Sequence, residues 1–191
     1  YSIKAGEAVT LQYRVKATTM RGAEDVDGIS RQIQSGVFKV VKVEKKEVRR
    51  RPPPPFSTST LQQAASQKMG FAAERTMRVA QSLYEGVDLG GTDPVGLITY
   101  MRTDSFSIAK TAADECAAFV KDAYGVAYAP DAPPTYQTKS RGAQEAHEAI
   151  RPTSVLRTPD EVRRALNPDQ IKLYELIWKR FVASQMIEAI Y

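Results

Sequence analysis

Cysteine and histidine each occur once in this 191-residue chain, as Cys116 and His147. A lone cysteine builds no disulfide framework, and together the two fall short of the roughly four ligands of a structural zinc site. Also missing is any apolar run near the roughly 18 residues needed to cross a bilayer. No membrane partner is expected, and the expected location is cytoplasmic. The chain opens on Tyr1-Ser2-Ile3-Lys4 without an initiator methionine or a charged-then-apolar leader, and ends at Tyr191 without a polar tail. It reads as an excised internal segment.

What is present is an ordinary globular composition, 42% hydrophobic and 26% charged, with enough length for one ample core or two small ones. The net charge of +5 and pI of about 9.3 suit a polyanionic partner. The base is unevenly placed: up to Arg51 there are 12 Lys or Arg against 6 Asp or Glu, and beyond it 15 against 16. Nucleic-acid contacts in the second part must therefore rest on a few placed residues rather than on a general basic field.

Alternation from Val9 to Val15 predicts a half-buried strand, and Val37 to Val48 predicts a longer one, with a short helix between them around Ile29 and Ile33. Arg49, Arg50 and Arg51 then meet Pro52 to Pro55, which exclude helix and favour a stiff, solvated, extended connector at a domain boundary. Helices dominate thereafter, so the fold class is α+β, mainly helical. Ser59 with Gln62 resembles a capping box for a helix stopped by Gly70. A second helix carries Ala73, Met77, Ala80, Leu83 and Tyr84 on its apolar side and ends at Gly86, forming a tightly joined helix pair. Leu97 to Arg102 reads as a compact strand. Asp104 or Ser105 is the candidate cap of a helix from about Ser107 to Tyr124, with Ile108, Ala112, Cys116, Phe119 and Ala123 facing inward. Thr158-Pro159 with Glu161, and Asn167-Pro168 with Gln170, start two further helices. In the last of them Ile171, Tyr174, Ile177, Trp178, Phe181 and Val182 read as core.

Three clusters can carry chemistry. In Ile98 to Ser105, strand spacing puts Tyr100 and Arg102 on one face, within reach of one phosphate. A phenol of ordinary pKa, about 10, is a poor nucleophile at neutral pH. A guanidinium helps by holding phosphate oxygens in a forked pair of hydrogen bonds where charge develops. On spacing alone, packing remains the ordinary role of a strand tyrosine. Gln144 to Pro152 reads as a short helix stopped by proline, with Gln144, His147, Glu148 and Arg151 on its polar side. An imidazole there can bind phosphate or relay a proton, or merely belong to a solvated face. Gln81 and Glu85 lie one helical step apart just before the Tyr100 strand, which is equally consistent with surface polarity.

The run ITYMRTDS from Ile98 to Ser105 resembles the nucleophile strand of bacterial type IA DNA topoisomerases, and QEAHEAIRPT from Gln144 to Thr153 resembles their second signature. FSTSTLQQAAS from Phe56, AQSLYE from Ala80 and LYELIWKRFVASQM from Leu173 are similar to the same family in the same order, so the likeness spans nearly the whole chain. Met101 before Arg102 points to the topoisomerase I branch. The resemblance implies that Tyr100 is the nucleophile, that Arg102 binds the scissile phosphate and that His147 contacts nearby DNA. It places Gln81, Glu85, Thr99, Thr103 and Asp104 along the DNA cleft. It further implies relaxation of negatively supercoiled DNA by single-strand cleavage through a 5′-phosphotyrosine, strand passage and religation. Where relatives pass almost directly from helix to strand, this chain has a glycine-rich excursion from Gly86 to Gly96.

The implied fold is a helical, winged-helix or CAP-like nucleophile domain (56–181) inserted into a β-rich arch formed by residues 1–55 and 182–191. The family's Mg2+ belongs to a Toprim domain that nothing here resembles. No metal is expected within this segment, which should be inactive without Toprim and the remaining domains of the same chain. The implied partners are single-stranded and negatively supercoiled DNA, and the implied location is the bacterial nucleoid. The alternatives are a non-catalytic DNA-binding module in which Tyr100 only packs and, last, a structural protein whose arch binds partners.

Overall fold

The computed structural model describes residues 22–36, 46–136 and 147–191. Two compact units divide the chain, Tyr1–Lys46 and Glu47–Tyr191. In the first, helix α1 (Ala23–Ser35) covers the positions of Ile29 and Ile33, with Glu24 and Asp25 in its first turn, where the helix dipole favours acid. The strand expected over Val9–Val15, and the Val37 to Lys45 part of the next, lie outside the described residues.

The second unit is mostly helical, with one small antiparallel sheet among its described residues. Strand β1 (Arg49–Arg50) pairs with β2 (Ala189–Ile190), Arg49 opposite Ile190 and Arg50 opposite Ala189. Val48 and Tyr191 extend the ladder by exchanging two 3.1 Å hydrogen bonds. The proline connector is less solvated than its composition suggests. Pro55 is buried, Phe56 is fully buried and bridges Ile150, and the Arg180 guanidinium sits 4.3 Å from the Phe56 ring centroid.

Helix α2 (Thr58–Met69) starts two residues before the start implied by a Ser59 cap. Ser57 is the cap, its N–H donating to the Thr60 hydroxyl at 2.9 Å. Burial of Phe56 sets the point at which the chain turns inward, and that overrides the Ser59/Gln62 pattern. Gly70, at φ +66°, closes α2 in the left-handed conformation, and Phe71 N–H reaches back to Ala65 O at 3.3 Å. Helix α3 (Ala73–Glu85) follows at once, burying Thr76, Ala80 and Leu83.

Helix α4 (Lys110–Ala123) begins three residues later than expected, and neither Asp104 nor Ser105 caps it. Ser105 is buried instead, its N–H donating to Thr103 Oγ1 at 3.0 Å and its hydroxyl accepting from Ser107 N–H at 3.0 Å. These local bonds satisfy the chain in an extended conformation and postpone the helix. Its buried face is Ala112, Ala113, Cys116 and Val120, and Ala123 is exposed.

The short α5 (Pro159–Val162) and the long α6 (Pro168–Ser184) start at the Thr158 and Asn167 boxes. Asn167 Oδ1 accepts from Asp169 and Gln170 N–H at 3.0 and 2.9 Å, and Gln170 Oε1 accepts from Asn167 N–H at 3.0 Å. Helix α6 is central to the core, burying Leu173, Tyr174, Ile177, Trp178, Phe181 and Val182. Side chains of this size contribute about 1.5–3 kcal/mol each when fully buried. The polar atoms carried in with them are matched: Tyr174 OH donates to Arg157 O at 2.6 Å and Trp178 Nε1 to Val155 O at 2.9 Å.

The helix expected over Gln144–Pro152 is not formed in its described part, from His147 on. Pro152 biases Arg151 away from helical backbone, and Ile150 and Pro152 take bridge partners in Phe56 and Ile98. Residues 147–152 thus run extended between two other extended segments, which positions the site.

Candidate active site around Tyr100

The compact strand expected over Leu97 to Arg102 is reduced to a single bridge, Ile98 with Pro152, because the chain bends at Met101 and Arg102, while Leu97 and Ile98 are both buried. The backbone leading to Tyr100 is paired with 149–153. Thr99 N–H donates to Arg151 O at 2.9 Å and Thr153 N–H to Leu97 O at 3.0 Å, while the Thr99 hydroxyl donates to Ala149 O at 2.7 Å. This pairing carries His147 to Tyr100. After Tyr100 the chain bends, and Met101, 1% exposed, plugs into the core. Tyr100 and Arg102, on either side of it, both reach the surface, Tyr100 with 40% of its area exposed.

Thr58, in the first turn of α2, holds this bend. Its hydroxyl donates to Met101 O (2.8 Å) and accepts from Thr103 N–H (2.9 Å), and its own N–H donates to Thr103 O at 2.9 Å. Ala149 N–H to Ser107 O, at 2.8 Å, ties the far end of the loop to the His147 segment. The loop bearing the two surface side chains is therefore fixed at three places by backbone hydrogen bonds.

Around the phenol stand two aromatic rings. Tyr84, in the last turn of α3, meets Tyr100 edge-on, with centroids 5.4 Å apart and planes at 66°. The His147 imidazole lies 6.1 Å away, tilted by 35°. Gln81 Nε2 donates to Glu85 Oε1 at 2.5 Å across the same helical turn, so these two reach the Tyr100 end of α3 as a bonded pair. Asp104 and Arg102 are exposed. Thr99 and Thr103, expected along a cleft, have other engagements: the Thr99 hydroxyl is taken by Ala149 O, and Thr103 is 7% exposed with Oγ1 accepting from Ser105. Glu148 and Arg151 are not a free polar face either. Arg151 is buried, with Nε donating to Glu148 Oε2 at 2.6 Å and a terminal nitrogen to Pro152 O at 2.9 Å. Gln144 lies outside the described residues.

Two participants were not singled out from the sequence. Tyr84 reads there as part of the apolar side of α3, yet it follows Leu83, and adjacent helix positions point about 100° apart, so both cannot face one core. That signal was available. Thr58 had none, because its partners lie 43 and 45 residues away. Among the described residues no group of three or more His, Cys, Asp or Glu could hold a metal ion.

A part-exposed tyrosine on a loop pinned by hydrogen bonds, with an exposed guanidinium two residues on and an imidazole ring alongside, is an arrangement that can attack an anionic, charge-developing centre such as a phosphodiester. A family described as DNA topoisomerase matches residues 1–191. DNA topoisomerase 1 of Xylella fastidiosa (strain 9a5c) is 54% identical over 160 residues, which is 84% of this chain and 20% of that protein. The full-length topoisomerase I from Thermotoga maritima, in a monoclinic crystal form, superimposes with a TM-score of 0.75 and 42% identity, covering 93% of this chain and 27% of that one. The chain thus spans about a fifth of the Xylella protein's length.

Proposed function

This chain belongs to the bacterial type IA DNA topoisomerase family, and from that premise we propose that it supplies the nucleophile half of a DNA-cleaving centre, with Tyr100 as the attacking residue. The carrying observation is that Tyr100, inside the ITYMRTDS run, has its ring exposed between Tyr84 and His147 while the backbone on both sides is pinned.

In the proposed step Tyr100 Oη attacks the phosphorus of a single-stranded DNA phosphodiester. The Oη–P bond forms as the bond from phosphorus to the 3′ oxygen breaks, leaving a 5′-phosphotyrosine and a 3′ hydroxyl. The phenol gives up one proton and the departing 3′ oxygen gains one, so the exchange is neutral in protons and bond type and runs backward for religation. Arg102 binds the scissile phosphate, where its fork matches two oxygens. His147 contacts neighbouring DNA. Gln81, Glu85 and Asp104 offer polar groups along the cleft, and Thr99 and Thr103, given their hydrogen bonds, serve chiefly by holding the loop. In the whole protein this step, with Toprim-bound Mg2+ and passage of a second strand, relaxes negatively supercoiled DNA in the cytoplasm, at the nucleoid.

The same reading takes residues 56–181 as a winged-helix or CAP-like nucleophile domain, with 1–55 and 182–191 belonging to a β-rich arch. The pairing of β1 with β2, which brings the segment before the prolines onto the chain's last residues, supports that reading.

The decisive test is Tyr100→Phe in the full-length protein. The covalent adduct with a single-stranded oligonucleotide should disappear while noncovalent affinity stays within about twofold, since one hydroxyl is removed and the exposed ring remains. An undiminished adduct would remove Tyr100 from the mechanism and favour a DNA-binding module.

A further inference from the structure

The cleavage step as written leaves Tyr84 without a task, although its ring is the nearer of the two aromatic neighbours of Tyr100. Tyr84 is 40% exposed and Leu83 beside it fully buried, so the helix commits Leu83 to the core and offers Tyr84 to the site. A half-exposed tyrosine without such a neighbour would sample several side-chain rotamers on the picosecond to nanosecond scale.

The distance between the two rings is fixed by main chain. Leu97 N–H donates to Leu83 O at 2.8 Å, joining the end of α3 directly to the Tyr100 segment. Val87 and Val95 exchange both of their N–H to O bonds at 2.9 Å, which closes the Gly86–Gly96 excursion into a hairpin. Its two ends are glycines for steric reasons. A Cβ on Gly96 would lie 2.7 Å from the Tyr84 carbonyl oxygen, and one on Gly86, at φ +131°, would lie 2.9 Å from Pro94 Cβ. The excursion therefore does not loosen the link between α3 and the Tyr100 segment. It draws the two together until the backbones touch.

We propose that Tyr84 is a positioning residue for Tyr100: its ring edge confines the Tyr100 phenol to the orientation from which it attacks, and the Gly86–Gly96 hairpin keeps Tyr84 in place. The proposal rests on Tyr100 being the nucleophile. Tyr84 transfers no proton and makes no bond to DNA in this role, so the ring matters and the hydroxyl does not.

The experiment is single-turnover adduct formation by the full-length protein with magnesium and a saturating fluorescent single-stranded oligonucleotide, comparing Tyr84→Ala, Tyr84→Leu and Tyr84→Phe. Ala and Leu should slow adduct formation about three- to tenfold, the range an aromatic pair supplies beyond its buried area. Phe should return the rate to within about twofold of the parent. Noncovalent affinity, measured for Tyr84→Ala in a Tyr100→Phe background, should change less than about twofold. Parent-like rates in Ala and Leu would overturn the proposal. So would a loss that lies wholly in affinity, which would make Tyr84 a base-stacking contact, or a Phe variant as slow as Ala. Tyr100→Phe run in parallel separates the two levels: an adduct there sinks the nucleophile assignment itself, whereas a normal rate in Tyr84→Ala sinks only the positioning role.

Discussion

Between the two side chains that reach the surface, Met101 is driven into the core, and its burial turns Tyr100 and Arg102 outward together. The ITYMRTDS pattern drew attention to both, since strand spacing puts the phenol and the guanidinium on one face, but their implied roles came from the family resemblance and not from spacing. Thr58 was not legible as a site residue, since its partners lie 43 and 45 positions away, and Tyr84 was legible only as a residue that cannot share the core face with Leu83, its ring partner Tyr100 lying 16 positions on. If Arg102 stabilises the charge that develops on the transferring phosphate, Arg102→Ala should lower single-turnover cleavage by about 10²–10³-fold. Arg102→Lys should recover only part of that, having charge without the planar fork. Equal rates for Ala and the parent in a rapid-quench assay would show that the guanidinium is not at the phosphate.

At the scale of elements, the helix starts at Pro159 and Pro168 were fully readable because a cap, a first-turn proline and a box partner are all local in sequence. Asn167→Ala leaves two N–H donors at the head of α6 without their acceptor and should cost about 1 kcal/mol. A urea-midpoint comparison checks this, and Asn167→Ser should give much of it back. Where local signals competed with burial, burial won. The Ser59/Gln62 pattern yielded to a start set by Phe56, and the helical spacing of Gln144 to Arg151 yielded, from His147 on, to bridges with Phe56 and Ile98. A backbone segment that can complete hydrogen bonds with two neighbours while burying Ile150 and Arg151 gains more than a short proline-terminated helix offers.

At the scale of the molecule, the 47–191 unit is built around groups that burial keeps neutral. Cys116 is pushed from 9.0 up to about 12, first by desolvation and then by the nearby Glu115 carboxylate. Tyr174 and Tyr136 are raised from 10.0, chiefly by desolvation. In each case the folded state keeps a proton that the unfolded chain releases once pH passes the ordinary value. Their contribution is therefore complete below about pH 9 and is lost as pH climbs toward the folded values. Stability should fall above pH 9 with a slope approaching about 1.4 kcal/mol per pH unit for each group in its window. Urea midpoints between pH 8 and 11 should show this decline, and Cys116→Ala should flatten its first part; a level profile would contradict the assignment. Composition, caps and short motifs carried the mainly helical character and the core face of α6, and singled out Tyr100, Arg102 and His147 as candidates, because each of these depends on residues within a turn or two of one another. Which rings stand against Tyr100, what pins its loop, and the extended path of the His147 segment were settled only when distant stretches competed for the same buried backbone partners, and that competition has no local signature.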